Sequence, residues 1–251
     1  MEYEERFSEI RQLLSLNFKD DEKSAEILDS LLNGPDLSHL EKLIQGKICL
    51  VFGCGPSLRE DFEAINGAGL LKKTTSIAAD GAVSLFMEKG VAPEINVSDL
   101  DGKIEDIIKA NRMGTVTVIH AHGDNKDRIK DVVPQLKGII FGSTQTKKFG
   151  KLHNFGGFTD GDRAVFLASH FKAKAIVLAG MDFGKDIGEY SYSFSEEDKK
   201  TKLELGKKLI EGLAEESDNP IQNFTSKGEE IVGVGKIKIK DLSLLIHDSL
   251  E

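Results

Sequence analysis

The fold of this chain is decided by a stretch that reads ICLVFGCGPS at residues 48–57. Its first five residues are apolar and have the length of a strand that is buried on both faces. Two glycines follow, and Ser57 stands where a serine can cap a helix. A strand, a glycine turn and a helix in this order are typical of the start of a doubly wound α/β domain.

The same rhythm continues along the chain. Apolar runs predict strands at residues 48–52, 75–79, 95–97, 116–119, 138–141 and 175–179, and strand-like pieces at 222–224 and 236–240. Helical spacing predicts helices at about 57–66, 81–90, 103–112, 124–132, 160–171 and 196–216. This alternation predicts an α/β, Rossmann-like, doubly wound fold with a mainly parallel sheet.

The region before residue 46 has a different character. Phe7, Ile10, Leu13 and Leu14 follow helical spacing, as do the apolar residues at 27–32, so residues 4–32 predict two short amphipathic helices. We therefore divide the chain into a helical segment, 1–45, and an α/β nucleotide-binding catalytic domain, 46–251. The segment carries no evident chemistry, and we expect a lid, a brace or a contact in a homo-oligomer.

Composition excludes several classes of protein. Hydrophobic residues make up 39% of the 251 residues, enough for a sizeable core, yet no apolar run approaches the roughly 20 residues of a membrane span. The chain has 33 basic and 42 acidic residues, and its formal net charge of −9 argues against general nucleic-acid binding. Cys49 and Cys54 form neither a disulfide framework nor a zinc site. With no secretory signal in the first thirty residues, we expect a cytoplasmic protein with no membrane or nucleic-acid partner.

Polar motifs stand where the predicted strands end, which in an open α/β sheet is the edge that lines the ligand crevice. In the loop after the first strand, Gly53, Gly55 and Pro56 suit a tight turn that approaches a phosphate, and Ser57 opens a helix that attracts anions. Leu58 replaces the third glycine of the dinucleotide fingerprint, so the loop also fits a plain turn.

Carboxylates follow the next two strands. Asp80 and Gly81 end the second strand, where a lone aspartate also fits a helix cap. Asp99 and Asp101 would lie roughly 7 Å apart if extended, and a bend would bring both to one cation. Two unpaired carboxylates are costly to bury together unless a cation or protons neutralise them. Mg²⁺ takes one or two carboxylates together with phosphate oxygens, so this pair predicts a magnesium site.

The fourth strand ends in His120-Ala121-His122-Gly123-Asp124-Asn125. Two histidines and one aspartate lack the further ligands of a zinc site, and either histidine also fits packing at the sheet end. Asp124 either supports the Asp99 and Asp101 pair or caps the following helix.

A glycine-rich, acidic cluster spans residues 154–163. Gly156 and Gly157 indicate close approach to a ligand, Thr159 or Asp160 can cap a helix, and Arg163 offers a planar fork for phosphate. Capping explains only one of these residues, so the cluster favours a functional site.

Together, the motifs at 53–58, 79–82, 98–101, 120–125 and 154–163 resemble those of archaeal 6-hydroxymethyl-7,8-dihydropterin pyrophosphokinases of the methanopterin pathway, over about residues 45–240. That family is similar in its core to thiamine pyrophosphokinases. The resemblance implies ATP as co-substrate, Mg²⁺ as cofactor and diphosphate transfer to the hydroxymethyl group of a reduced pterin, with release of AMP. It also implies that Asp99 and Asp101 are metal ligands and that Asp124 is a third.

Further roles follow from the resemblance as hypotheses. The catalytic residues would be the three metal carboxylates, Arg163, which would contact a phosphate, and Asp162 or Asp124, which would orient the attacking hydroxyl or accept its proton. Pterin binding falls to Asn154 and Asp182 at the ring edge and to Phe155 or Phe158 by stacking. Nucleotide contacts fall to the remaining motif residues: Gly53, Gly55, Pro56, Ser57, Asp80, Gly81, Asn125, Gly156, Gly157, Thr159 and Asp160.

Other functions stay open from sequence. A related domain occurs in flagellin glycosyltransferase-like proteins, and Asp-x-Asp with a divalent cation also serves nucleotide-sugar glycosyltransferases. A non-catalytic nucleotide-binding module would leave the clustered carboxylates unexplained. The incomplete glycine fingerprint disfavours an NAD-dependent dehydrogenase.

Overall fold

A computed structural model describes residues 18–123, 125–145, 149–184, 186–192 and 196–249. The predicted helix around Phe7 and the predicted site residue Asp124 lie outside these ranges. None of the helices in the described ranges combines the length and the apolar character needed to cross a membrane.

Nine parallel strands form one sheet in the described chain, in the order β6-β5-β4-β3-β2-β1-β7-β8-β9. The strands are β1 Ile48–Phe52, β2 Thr75–Ala79, β3 Ile95–Ser98, β4 Val116–Ala121, β5 Ile140–Thr144, β6 Leu152–His153, β7 Ala175–Ala179, β8 Ile221–Asn223 and β9 Gly235–Lys236. β1, β2, β3, β4 and β7 are buried throughout, which explains why they appear in the sequence as continuous apolar runs.

Helices cover both faces of the sheet. They are α1 Phe18–Leu31, α2 Ser38–Ile44, α3 Leu58–Gly67, α4 Ala82–Glu88, α5 Ile104–Arg112, α6 Lys126–Val132, α7 Asp160–His170, α8 Glu196–Glu216 and α9 Ile239–His247. Residues of α1, α3, α4, α5, α6 and α9 belong to one apolar core, and residues of α2, α7 and α8 belong to the other. The doubly wound α/β fold is therefore confirmed.

The strand order reverses at β1, which pairs with β2 on one side and with β7 on the other. The chain builds the sheet outward to β6 and then returns to the middle through α7, which contacts β1, β2, β3 and β7. A reversal of this kind opens a crevice at the carboxyl ends of the strands, and ligands of such sheets bind there.

Two local predictions are wrong, and one short strand was not predicted. Residues 236–240 are not a strand, because β9 ends at Lys236 and α9 begins at Ile239. β6 was not predicted, since its two residues are too few to show a period. Phe155, predicted to stack on a ligand, instead packs in the core, where its ring centroid lies 5.1 Å from that of His170 and 5.7 Å from that of Phe171.

Candidate active site

A cavity of about 340 Å³ opens at the carboxyl edge of the sheet. Its walls come from the loops after β1, β2, β3, β4 and β7, from the start of α7, and from α1 and α8. It contains predicted residues from four of the five sequence motifs and Asp182 after β7. These are Gly53, Gly55, Pro56, Asp80, Asp99, Asp101, Phe158, Thr159, Asp160, Arg163 and Asp182.

Four carboxylates meet at the centre of this cavity. Asp80, Asp99, Asp101 and Asp160 each place one oxygen atom so that all four atoms lie within 4.8 Å of one another. Three of them follow β2 and β3, and the fourth begins α7, which crosses the sheet at this point. The strand-end aspartates thus converge as the sequence predicts.

Backbone bends aim these side chains at a common point. Leu100, between the two aspartates of the Asp-x-Asp motif, has φ of 69°, while its own side chain is buried in the core. Asp80 also has positive φ, at 40°. Such conformations are costly for residues other than glycine and concentrate at functional sites.

Buried polar side chains hold the bends in place. The Ser98 hydroxyl donates to Asp80 Oδ1 at 2.6 Å and accepts the amide of Leu100 at 2.9 Å. Asn125 Nδ2 donates to the carbonyls of Asp99 and His120, at 2.8 and 2.7 Å. Asn125 is fully buried and does not line the cavity, so it positions the strand-end loops and is not placed to touch a nucleotide.

Crowding changes the acidity of the cluster. Burial, and then the charges of Asp80 and Asp99, raise the pKa of Asp101 to about 8. Burial and the charge of Asp99 also raise the pKa values of Asp80 and Asp160. Burial would raise the pKa of Asp99 too, but the hydrogen bond and charge of His122 outweigh it and hold that pKa below its usual range. The positive charges beside the cluster therefore do not offset burial and mutual repulsion at Asp80, Asp101 and Asp160.

A divalent cation fits this cluster. All four donors are carboxylate oxygens, the hard ligands that Mg²⁺ takes, and the set has no sulfur or imidazole that would favour zinc. Asp160 belongs to this cluster, whereas the sequence hypothesis assigns it to the nucleotide and assigns Asp124, outside the described residues, to the metal.

Two basic side chains adjoin the acidic cluster. Arg163, on the first turn of α7, is 7% exposed, and its Nη1 lies 3.4 Å from Asp160 Oδ1. Its Nε has no hydrogen-bond partner among the described residues. His122 Nε2 lies 3.1 Å from Asp99 Oδ2. Arg163 lines the cavity beside the acidic cluster, its contact with a phosphate stays a prediction, and His122 orients Asp99.

The glycine loop differs from the predicted phosphate cradle. Its amides already have partners within the protein: Gly53 N–H donates to the Ala179 carbonyl and Gly55 N–H to the Gly180 carbonyl, at 2.9 and 2.7 Å. The amide of Ser57 donates to Asp182 Oδ2 at 3.2 Å. These hydrogen bonds fix the loop to the end of β7, and the three amides are not directed at a ligand.

Asp162 also has a structural position. It is fully buried, lies outside the cavity lining, and accepts the Thr159 amide at 2.8 Å. Thr159 and Asp162 form a capping box at the start of α7. The structure therefore does not bring Asp162 to the attacking hydroxyl that the sequence hypothesis assigned to it.

Four further predicted residues lie near the site but do not line the cavity: Gly81, Asn154, Gly156 and Gly157. Gly156 and Gly157 have φ of 95° and 83° and turn the chain into α7. Asn154 accepts the Gly156 amide at 3.0 Å, and neither it nor Gly81 lines the cavity.

Sequence reasoning missed the contribution of α1. Asp20 and Asp21 line the cavity, and Asp21 accepts the Gly123 amide at 2.8 Å and Gln145 Nε2 at 2.7 Å. α1 thus joins the loops after β4 and β5. The acidic first turn of a helix outside the α/β repeat gave no signal that it reaches the sheet edge.

Fold and site together define a doubly wound α/β protein with an acidic, metal-type centre at its ligand-binding edge. The sequence matches the family described as 6-hydroxymethylpterin diphosphokinase MptE-like over residues 22–188. The chain belongs to this family, and it is an enzyme of the pyrophosphokinase class, a diphosphotransferase.

Curated relatives match most of the chain. A 6-hydroxymethyl-7,8-dihydropterin pyrophosphokinase from Methanothermobacter thermautotrophicus is 44% identical and covers 81% of this chain and 90% of its own. Proteins of the same name from Methanocaldococcus jannaschii and Pyrococcus furiosus are 40% and 37% identical, over 84% and 89% of this chain and 94% and 98% of theirs.

A solved structure shares the fold. The MAf glycosyltransferase from Magnetospirillum magneticum AMB-1 aligns with a TM-score of 0.58 over 94% of this chain and 42% of its own, at 13% identity. At that identity the likeness shows the architecture alone.

Proposed function

We propose that this enzyme transfers a diphosphate from ATP to the hydroxymethyl group of 6-hydroxymethyl-7,8-dihydropterin and releases AMP, with Mg²⁺ at Asp80, Asp99, Asp101 and Asp160. The observation that carries the proposal is the four-carboxylate cluster, whose mutual repulsion a divalent cation would relieve. Its place at the sheet edge of a pyrophosphokinase-family chain supports the same reaction.

The chemistry requires positioning and charge stabilisation more than covalent participation of the protein. The pterin hydroxymethyl oxygen would attack the β-phosphorus of ATP and lose its proton to solvent water, while the bond from that phosphorus to the oxygen shared with the α-phosphate would break and AMP would leave. Mg²⁺, when bound, supplies neutralisation of phosphate charge. Arg163 contributes a planar cation for phosphate oxygens. His122 and Asn125 keep Asp99 in its ligating orientation.

The test is a product analysis. The protein is incubated with ATP, MgCl₂ and 6-hydroxymethyl-7,8-dihydropterin, and nucleotides and pterins are separated by chromatography. We expect AMP and a pterin diphosphate in equal amounts, with no AMP when the pterin is omitted. Formation of ADP with a pterin monophosphate, or no pterin-dependent consumption of ATP, would refute the proposal. The mutant Asp99→Asn serves as the control for a contaminating activity.

A further inference from the structure

The cavity continues from the acidic cluster toward the reversal point of the sheet, between the loops after β1 and β7. We call this part the switch-point pocket and define it by six lining residues: Gly53, Gly55, Met181, Asp182, Phe183 and Tyr192. Its chemistry differs from that of the phosphate region around Arg163.

Three amides of the glycine loop are engaged within the protein and are not offered to a phosphate. The amides of Gly53, Gly55 and Ser57 have protein acceptors, and Pro56 has no amide hydrogen. Beside this loop, the end of β7 contributes the carboxylate of Asp182, which is 5% exposed. A carboxylate repels phosphate and favours a ligand edge that carries N–H groups.

One atom in this wall lacks a partner. Asp182 Oδ2 accepts the Ser57 amide at 3.2 Å and contacts the Ser57 hydroxyl at 2.9 Å, whereas Oδ1 is buried with no hydrogen-bond partner among the described residues. A buried acceptor without a donor is costly, roughly 1–3 kcal/mol. An N–H group on a ligand in the cavity that Asp182 lines would remove that cost.

The protein holds this carboxylate firmly. The Ser57 hydroxyl also lies 2.9 Å from Asp61 Oδ2, and Asp61 accepts the amides of Gly180 and Ser226 at 2.8 and 3.0 Å. Gly55 passes so close that a Cβ there would lie 2.0 Å from Asp182 Oδ2. The side chain therefore has little freedom to turn its unpaired oxygen elsewhere.

The remaining walls suit a flat heterocycle. Met181 and Phe183 flank Asp182 in the chain and line the pocket, and Tyr192 adds an aromatic ring that is 38% exposed. The segment that carries Tyr192 lies over the glycine loop, since a Cβ on Gly188 would lie 2.0 Å from the Cys54 carbonyl. A planar ring can pack between such apolar surfaces.

We infer that the switch-point pocket binds the pterin ring, with Asp182 Oδ1 accepting an N–H of its pyrimidine edge, and that the glycine loop does not bind the phosphates. The inference rests on the proposed function for the identity of the acceptor. A 2-amino-4-oxo pyrimidine presents a ring N–H beside an exocyclic amine. Adenine presents its amine beside an acceptor nitrogen, which a carboxylate repels.

Binding measurements test this without requiring turnover. The intrinsic fluorescence of 6-hydroxymethylpterin reports its dissociation constant, and calorimetry with MgADP reports that of the nucleotide. In Asp182→Asn the carbonyl can face Ser57, leaving an amide donor against the pterin donor. We expect pterin affinity to fall about 10- to 100-fold, with nucleotide affinity within about twofold of wild type. The exposed carboxylate of Asp127, which does not line the cavity, provides the matched control Asp127→Asn, expected to change neither constant more than about twofold.

A second variant tests whether the glycine loop supports Asp182 for pterin binding or binds the phosphates of the nucleotide. Ser57→Ala removes the hydroxyl that anchors Asp182 and should weaken pterin binding while sparing MgADP. If either Asp182→Asn or Ser57→Ala weakened the nucleotide instead, or if pterin affinity stayed unchanged in Asp182→Asn, the inference would be overturned. Pterin-selective loss would support it even if the wild-type protein made no AMP, so its outcome is separable from that of the proposed reaction.

Discussion

Asp160 lies both at the start of a helix and in the acidic cluster. It is the first residue of α7, and its carboxylate lies with three others from the ends of β2 and β3. Acidic residues are favoured in the first turn of a helix, and that preference alone would account for it. The convergence of four carboxylate oxygen atoms within 4.8 Å is the observation that supports its place in the proposed metal centre as well.

Removing the carboxylate of Asp160 distinguishes its role at the start of α7 from its proposed role as a metal ligand. We expect Asp160→Asn to lower turnover at least about 100-fold at fixed Mg²⁺ and to raise the Mg²⁺ concentration needed for half-maximal rate, because one ligand charge is lost. The amide still suits the helix start, so stability should change little. Turnover measured against MgCl₂ concentration is the readout.

The matched control for Asp160 is Asp127→Asn. That side chain is 77% exposed and contacts only Lys130 among the ion pairs of the described chain. Its loss should leave the Mg²⁺ dependence within about twofold of wild type. An unchanged Mg²⁺ dependence in Asp160→Asn would exclude this residue from the metal centre.

At the scale of helices and strands, sequence patterns predicted most of the structure. The predicted strands at 48–52, 75–79 and 175–179 match the observed bounds, as does the helix at 196–216. These predictions succeed because strands buried on both faces must be apolar throughout. Where an element is short, as in β6, or begins among charged residues, as in α9, periodicity has too few residues to act on.

A carboxylate that caps a helix is hard to distinguish from a catalytic carboxylate by sequence alone. Asp162 was predicted to act on the attacking hydroxyl because it lies in a dense polar motif, but a capping box uses the same residue types. Local spacing alone cannot distinguish a carboxylate that faces the cavity from one that faces its own backbone. The position of Asp61 was missed for a related reason, because the amides that donate to its carboxylate, those of Gly180 and Ser226, are more than a hundred residues away in the chain.

Substitutions of Asp162 test its assignment to α7. Asp162→Asn retains a side-chain oxygen for the Thr159 amide and should keep most of the activity. Asp162→Ala should lower the free energy of unfolding by about 1 kcal/mol, within the 0.5–2 kcal/mol range of lost caps. Urea denaturation and steady-state rates measured on both variants decide the point. If Asp162→Asn abolished turnover while keeping full stability, the residue would have a chemical role.

At the scale of the whole molecule, the site depends on the point where the strand order of the sheet reverses. Successive strands add outward from β1 to β6, and α7 and β7 return to the centre of the sheet. The sequence shows that polar motifs end the strands, and the parallel rule places them at one edge. It does not show that α1 reaches the same edge, where Asp21 joins Gly123 and Gln145, because no period or motif encodes that distant contact.

Because four carboxylates crowd together at this edge, we expect the stability of the protein to depend on pH and on metal. In the folded protein without metal, the pKa of Asp101 is about 8, above the value of about 4 for an exposed aspartate. A raised pKa means that the folded state holds its proton more tightly than the unfolded state. Its contribution to stability is therefore full below about pH 4 and is lost as pH rises toward 8. Asp80 and Asp160, whose pKa values are also raised, act in the same direction.

Thermal unfolding from pH 4 to pH 8 checks this linkage. With EDTA, we expect the melting temperature to carry a component that falls as pH rises, and this component should shrink in Asp101→Asn, which cannot ionise. With MgCl₂ at one fixed concentration, about 100 times its dissociation constant at pH 8, stability at pH 8 should rise by roughly 2.7 kcal/mol, or about 5–10 °C for a chain of this size. Because the cation binds the ionised carboxylates, the difference between the two conditions should widen as pH increases. A difference that stayed constant with pH, or an Asp101→Asn protein with the wild-type slope, would show that these carboxylates do not form the cation site.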